Sequence, residues 1–535
     1  MTSSTRTKLY AAVALAAALG VVVALARSTS WRERRWDTLE LALGDNVTTF
    51  DPALIKDVAG GRFAALLYPG LVKYGPDEKV AGDLAESWEV SRDALVYTFH
   101  LRRGALFSDG SPIASRDVVA SFERALSAEV ASPRSWVLSG IKGASAFREG
   151  KAARIEGLAA DGDYTVKVTL ERPLGTFLSL LTMPSASVLP AATPRKPFWG
   201  VDALPTAGGP FRIANLEPDV AVTLEANPRY FGPKPLLARI RYRIIRNPFA
   251  AVTEFRQGRL DVIEIPETFD AFFRGDPAWR PYIDSTEGLN VYYLGFNCTR
   301  PPFDGRDFRR AVCRALDRRA IVDGVLHGKA APAAGPIPPG LAGFDPDFAG
   351  LAFDPSAAKA AIAAARVGRA LEILVLSSPD TVGVAEAIAG QLRAAGLSVE
   401  VAPRERGTFK ELLGKGDFDM VYYSWVADYA DAENFLAPLF ATSADRSTGN
   451  YTAYSSPAVD ALLAGAAAEQ DDALRAGVYK SVARMVVEDA PRAFLWHAMR
   501  VTVRQPWVAG FRLPHIYNAE RFDGVHITRA EAKAK

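Results

Sequence analysis

Cysteine and histidine are scarce in this chain: two cysteines and five histidines among 535 residues. Two cysteines cannot build a disulfide framework, and neither a CxxC pair nor zinc-type spacing occurs. Cys298 and Cys313 read as two small buried hydrophobes. The alternative is a disulfide, with Cys298 ending a predicted strand and Cys313 in the helix that follows. His100, His327, His497, His515 and His526 have no neighbouring ligand at metal-type spacing, so neither a metal nor a cofactor is expected. His497 follows the apolar run 493–496 and reads as a satisfied core or rim residue. HExxH, GxSxG, P-loop and GxGxxG patterns are all missing, which lowers the case for an enzyme and leaves no catalytic residue to name. Charge of one sign is missing too. Lys+Arg number 63 and Asp+Glu 61, a net of +2, with no basic field to suggest nucleic acid. No internal repeat is present.

What the chain does have is apolar mass. It is 49% hydrophobic and 23% charged, and its length suits about three domains at ~150 residues each. Arg6 and Lys8 precede an uncharged stretch from Leu9 to Ala26, followed by Arg27, Arg32, Arg34 and Arg35. A basic start, an apolar run and Ala24-Leu25-Ala26 fit a cleavable export signal. The same run is long enough for a membrane span, so retention as an anchor stays open. With no cysteine near position 27, bacterial lipid anchoring is not available. Cleavage after Ala26 removes two cations and no acid, leaving a formally neutral product.

Along the body, strands are predicted at 39–43, 96–101, 164–170, 220–224, 240–245 and 291–296. Ser115 caps a helix whose inner face carries Val118, Val119, Phe122, Ala125 and Leu126. Helices follow Asp304 and Asp317, the second stopping at Gly328. Pro and Gly cluster over 184–210 as a linker or exposed loop. Pro457, after Ser456, starts a helical pattern that breaks near Asp471 and runs to Pro491. The first half is strand-rich and the second is α/β, which suggests two unlike lobes and a cleft.

The most informative stretch is 371–436. Leu371–Leu376 (LEILVL) reads as a buried strand, 381–395 as a helix, 397–401 as a strand, 408–413 as a short helix and 418–424 as a third strand. That alternation implies parallel strands. Ligands in open α/β sheets sit beyond the carboxyl ends of the strands. Trp425-Val426-Ala427-Asp428-Tyr429 falls there, so Asp428 is a candidate for a ligand cation; its plainer reading is a turn acid. Asp431 and Glu433 read as a solvated turn or helix start.

Several segments together resemble one family. The run from Asp83 to Arg124 (DLAESWEVSRDALVYTFHLRRGALFSDGSPIASRDVVASFER) resembles a block of the extracellular solute-binding proteins of peptide ABC importers, the oligopeptide- and dipeptide-binding class, family 5. Thr49-Phe50-Asp51-Pro52 resembles its early turn, and Gly209-Pro210-Phe211 with 227–231 its GPF…NxxY pair. The FRQGRLD run ending at Asp261 resembles its FxxGxxD turn, and 293–321 (YLGFNCTRPPFDGRDFRRAVCRALDRRAI) its NxxxPPF block.

The resemblance implies an α/β, two-lobed periplasmic-binding-protein-like fold with a hinge and an extra subdomain inserted in the first lobe. The expected division is 1–36 signal peptide or membrane anchor, 37–80 first part of lobe I, 81–204 inserted subdomain, 205–290 second part of lobe I, 291–504 lobe II, and 505–535 return to lobe I with a tail. It implies a non-catalytic, monomeric receptor outside the cytoplasm, in the periplasm, that passes peptides or peptide-like amines to ABC permease subunits. Extended peptides would be held by backbone hydrogen bonds, as an added strand. Asp428 would pair with the ligand amine, beside Trp425 and Tyr429. The backbone of Asn46, Val47 and Thr48 would line the cleft. Tyr422 stands where some oligopeptide binders carry an arginine for the ligand carboxylate, so that end would be held elsewhere or be absent. The alternatives are a binder of the same fold for a nickel complex, haem, opine or sugar, and a membrane-tethered solute sensor.

Overall fold

Thirteen residues of one strand, Arg492–Arg504, run through both halves of this protein. In the computed structural model, its first half pairs with Asn290–Phe296 and Ala330–Pro332, and its second half with Ile283–Glu287 and Val262–Glu264. The result is a single mixed sheet of 12 strands that passes from lobe to lobe. The structure describes residues 36–198, 206–443, 445–446 and 449–528. The expected export segment at 9–26 and part of the 184–210 loop lie outside the described residues. Among the described residues no helix is long and apolar enough to cross a membrane.

Lobe II carries the predicted α/β run. Leu371–Leu376 pairs parallel with Val399–Arg404 on one side and Met420–Val426 on the other. Helices Pro379–Ala394 and Arg406–Lys415 make the crossovers. Leu371, Ile373, Leu374 and Val375 are all buried, which is why the first strand is apolar at every position but Glu372. The expected third strand continues to Val426, past the predicted end at 424.

The lobe I sheet orders Thr38–Leu43, Arg239–Ile244, Ala221–Ala226 and Phe211–Glu217 from the shared strand outward. The inserted region has its own four-stranded sheet, built from Ala85–Val90, Val96–Leu101, Thr165–Thr169 and Leu158–Ala160, packed on helix Ser115–Leu126. Residues 499–504 pair with Ile283–Glu287 and Val262–Glu264. The second expected helix of 304–328 ends at Gly324, with Gly328 left-handed beyond it. The long pattern after Pro457 is two helices, Pro457–Ala468 and Asp472–Asp489, with Asp471 capping the second.

The segments that carried the resemblance are structural clamps. Arg124 donates to both carboxylate oxygens of Asp51, at 2.9 and 2.6 Å, tying the inserted helix to the early turn. Asp261 accepts from the Glu40 N–H and from the Trp507 indole, each at 2.7 Å. Asn227 Nδ2 donates to Gly209 O at 2.9 Å. At the crossing between lobes, Asn290 brackets the shared strand: its Nδ2 donates to Ala498 O at 2.9 Å and its Oδ1 accepts from Ala498 N–H at 2.7 Å. Buried His497 meets Asn290 O through Nδ1 at 2.7 Å, and burial pulls its pKa down to about 4. Both thiols are free; Cys313 is buried, which pushes it up to about 12.

Candidate functional site

The Met420–Val426 strand turns its residues alternately to two faces. Tyr422 goes inward: it is buried, with its ring 5.9 Å from that of Trp496 and 6.2 Å from that of Tyr292. Tyr423 and Trp425 go the other way and line a cavity of about 280 Å³. Lobe II forms one wall of it with Tyr423 through Asp428, Tyr451 and Lys410. Lobe I and the inserted subdomain form the other with Lys56, Asp57, Val58, Arg134 and Tyr517. The cavity therefore lies between the lobes, beyond the carboxyl end of a strand in a parallel set.

Asn434 fixes the two most prominent groups on the lobe II wall. Its Oδ1 accepts from the Asp428 N–H at 2.9 Å and from the Trp425 indole at 3.2 Å. It is 1% exposed, in helix Glu433–Phe440. Opposite, Asp57 caps helix Val58–Leu67, accepting from Gly60 N–H at 2.8 Å, and accepts from the Thr48 hydroxyl at 2.7 Å. Tyr517 is half-buried and packs against Gly61, where a Cβ would come 2.2 Å from its ring. Burial and then the nearby Asp428 carboxylate raise the Tyr517 pKa above the usual phenol range.

The Asp428 carboxylate already has a partner. Arg134, from the inserted subdomain, donates through Nη1 to Asp428 Oδ1 at 2.9 Å, and both side chains are mostly sheltered. Further contacts cross the same seam: Ala430 N–H donates to Tyr74 Oη at 2.8 Å, and Gly175 N–H to Ala467 O at 2.9 Å. Tyr429 does not line the cavity. It packs into the core of the inserted subdomain, 6.3 Å ring to ring from Trp136, and its hydroxyl donates to Glu433.

Asp431 and Glu433 are partly buried, where their acidic run suggested a solvated turn. Burial raises both pKa values, that of Glu433 to about 7, although Arg475 lies 3.6 Å from Asp431. Residues 46–48 do not line the cavity. Asn46 exchanges hydrogen bonds with Asp219 on the lobe I surface, Val47 packs on the lobe I core, and Thr48 supports Asp57. Sequence reasoning missed Arg134, Asp57, Lys410, Asn434 and Tyr517. Only Asp57 carried a signal, as an acid at the start of a helix.

A larger concavity, about 940 Å³, lies on the outward face of the lobe I sheet among Arg239, Arg241, Arg243, Glu40 and Glu225. All its walls belong to one lobe, so closure does not enclose it. Among the described residues no cluster of three or more His, Cys, Asp or Glu could hold a metal ion.

Comparison with known proteins places this geometry. Residues 79–447 match the family described as bacterial extracellular solute-binding proteins, family 5 Middle. The chain is 29% identical over 531 residues to the periplasmic oligopeptide-binding protein OppA of Escherichia coli strain K12, covering 96% of each. It is 27% identical over 559 residues to heme-binding protein A of Haemophilus influenzae, covering 97% of this chain and 99% of that one. The solved murein tripeptide binding protein MppA of Escherichia coli superposes with a TM-score of 0.78 at 25% identity, over 92% of this chain and 98% of its own. The chain belongs to the family 5 extracellular solute-binding proteins.

Proposed function

We propose that this protein is the monomeric, extracytoplasmic receptor of an ABC importer, capturing short peptides or peptide-like amines between its lobes and handing them to a membrane permease. The observation that carries this reading is the interlobe cavity with Asp428 on its wall. The carboxylate stands beyond the end of Met420–Val426, beside Trp425, with its backbone pinned by Asn434. A ligand ammonium there makes a charge-assisted hydrogen bond, about twice as strong as a neutral one. Arg134 supplies the positive charge while no ligand is present, so the acid is never left unpaired in the sheltered cleft. The ligand amine takes over that position when it binds. Past Val421 the Met420–Val426 strand is paired by Asn290–Phe296 alone, and that edge suits an extended backbone held by main-chain hydrogen bonds. The oligopeptide and murein tripeptide relatives support a peptide as ligand.

The test is a thermal-shift series with di-, tri- and oligopeptides on the purified protein. A ligand at a hundredfold excess over its Kd raises stability by about 2.7 kcal/mol. A set of peptides that leave the melting temperature unchanged at millimolar concentration defeats the peptide reading. One observation favours a second reading, a non-peptide solute of the kind the haem-binding relative's name records: the acid is already neutralised by Arg134, so a ligand without an amine meets no unpaired charge. Native mass spectrometry of the protein as purified separates the two.

A further inference from the structure

The cavity's charges do not balance. Asp428 is paired with Arg134, and Asp57 spends its oxygens on Thr48 and the helix start at Gly60. Lys56 and Lys410 also line the cavity, one from each lobe. Among the described residues neither has a carboxylate within ion-pair distance. Lys410 is nevertheless held in place: its ammonium lies 4.7 Å from the ring centroid of Tyr423 and 5.7 Å from that of Tyr451, both of which line the same cavity. Aromatic faces attract an ammonium without neutralising it. Its own helix offers no competing acid there, because Glu411 is paired with Lys415 at 2.6 Å.

We infer that Lys410 receives the negatively charged end of the ligand, so that the site takes a short zwitterionic peptide with its amine at Asp428 and its terminal carboxylate at Lys410. This rests on the peptide reading above. With Tyr422 turned into the core, the strand itself supplies no cation to the cavity. The helix Arg406–Lys415 supplies it instead, alongside the strand rather than on it. Lys410 sits over Tyr423, and Asp428 lies beyond Val426 at the strand's end. The strand from Tyr423 to Val426 covers about 10 Å at ~3.3 Å per residue, and the two positions after it extend the gap. An extended peptide spans at most ~3.3–3.6 Å per residue, so at least three residues are needed to bridge the two charges. Lys56, on the facing wall, adds a second positive charge that favours a ligand with more negative than positive groups.

The experiment is calorimetric titration of trialanine, trialanine amide and N-acetyl-trialanine into the wild type, Lys410→Gln and Lys410→Arg. Wild type should bind trialanine about tenfold more tightly than its amide. Lys410→Gln should lose that factor for trialanine and leave the amide unchanged, and Lys410→Arg should retain most of it. The preference should shrink as salt is raised, since the lysine is at the cavity rim. Lys410→Gln weakening acid and amide equally, or weakening neither, overturns the assignment while leaving the peptide reading standing. Failure of all three probes and of longer peptides to bind wild type removes the peptide reading and this inference together.

Discussion

Arg134 Nη1 and Asp428 Oδ1 face each other at 2.9 Å across the cleft, the guanidinium from the inserted subdomain and the carboxylate from lobe II. The pair does two things at once. It ties the inserted subdomain to lobe II, and it neutralises the acid that the proposed ligand amine would meet. A ligand can shift this equilibrium only by as much as it prefers the state with Arg134 displaced.

Arg134→Gln should therefore tighten binding of trialanine by about 1 kcal/mol, roughly fivefold, because the amine no longer competes with a resident cation. N-acetyl-trialanine should gain nothing. Calorimetry on both ligands checks this. In the ligand-free protein, small-angle scattering should show a larger radius of gyration for the variant.

Glu433 gives a pH dependence whose sign follows from burial. Its folded pKa is raised from the ordinary 4.5 to about 7. Stability from the protonated, buried acid is thus fully present below about pH 4.5 and lost as pH rises through about 7, by up to roughly 3 kcal/mol. Denaturant melts of wild type between pH 4.5 and 8 should show that fall. Glu433→Gln, which keeps a partner for the Tyr429 hydroxyl, should flatten it.

Asp51 and Arg124 are both essentially buried, joined by two hydrogen bonds. Removing one partner strands the other's charge, so Asp51→Asn and Arg124→Met should each cost about 3–5 kcal/mol in chemical denaturation. The double variant should lose less than the sum, because no charge is left unpaired.

Asn434→Ala leaves the Trp425 indole and the Asp428 N–H without their shared acceptor. A buried unsatisfied donor costs about 1–3 kcal/mol. Trialanine affinity should fall even though Asn434 does not line the cavity, and the tryptophan emission spectrum should shift.

Much of lobe II was legible because its residues obey local rules. Leu371–Leu376 is apolar apart from Glu372, as suits a parallel strand flanked on both sides, and Asp317, Ser456 and Asp471 each cap a helix in the region where the pattern placed one. The motif residues Asp51, Arg124, Asn227 and Asp261 identified the family because they lock turns together; none lines the cavity. The site was legible only from one side. Asp428 and Trp425 come with the strand, but Arg134, Tyr517 and Lys410 reach the cavity through tertiary placement that no spacing encodes. Tyr429 and Tyr422 share the aromatic run and yet pack into two different cores, since one faces the inserted subdomain and the other the sheet's inner face. Asp431 and Glu433 resemble a wet turn in sequence and are partly buried because Arg475 and the Tyr429 hydroxyl close on them.

The most direct measurement is the affinity of trialanine and of N-acetyl-trialanine for wild type and for Asp428→Asn. Pairing of Asp428 with the amine predicts that the substitution weakens trialanine by about 1.5–3 kcal/mol and leaves the acetylated peptide nearly unchanged. Equal losses for the two ligands would mean that Asp428 shapes the cleft with Arg134 and never meets the amine.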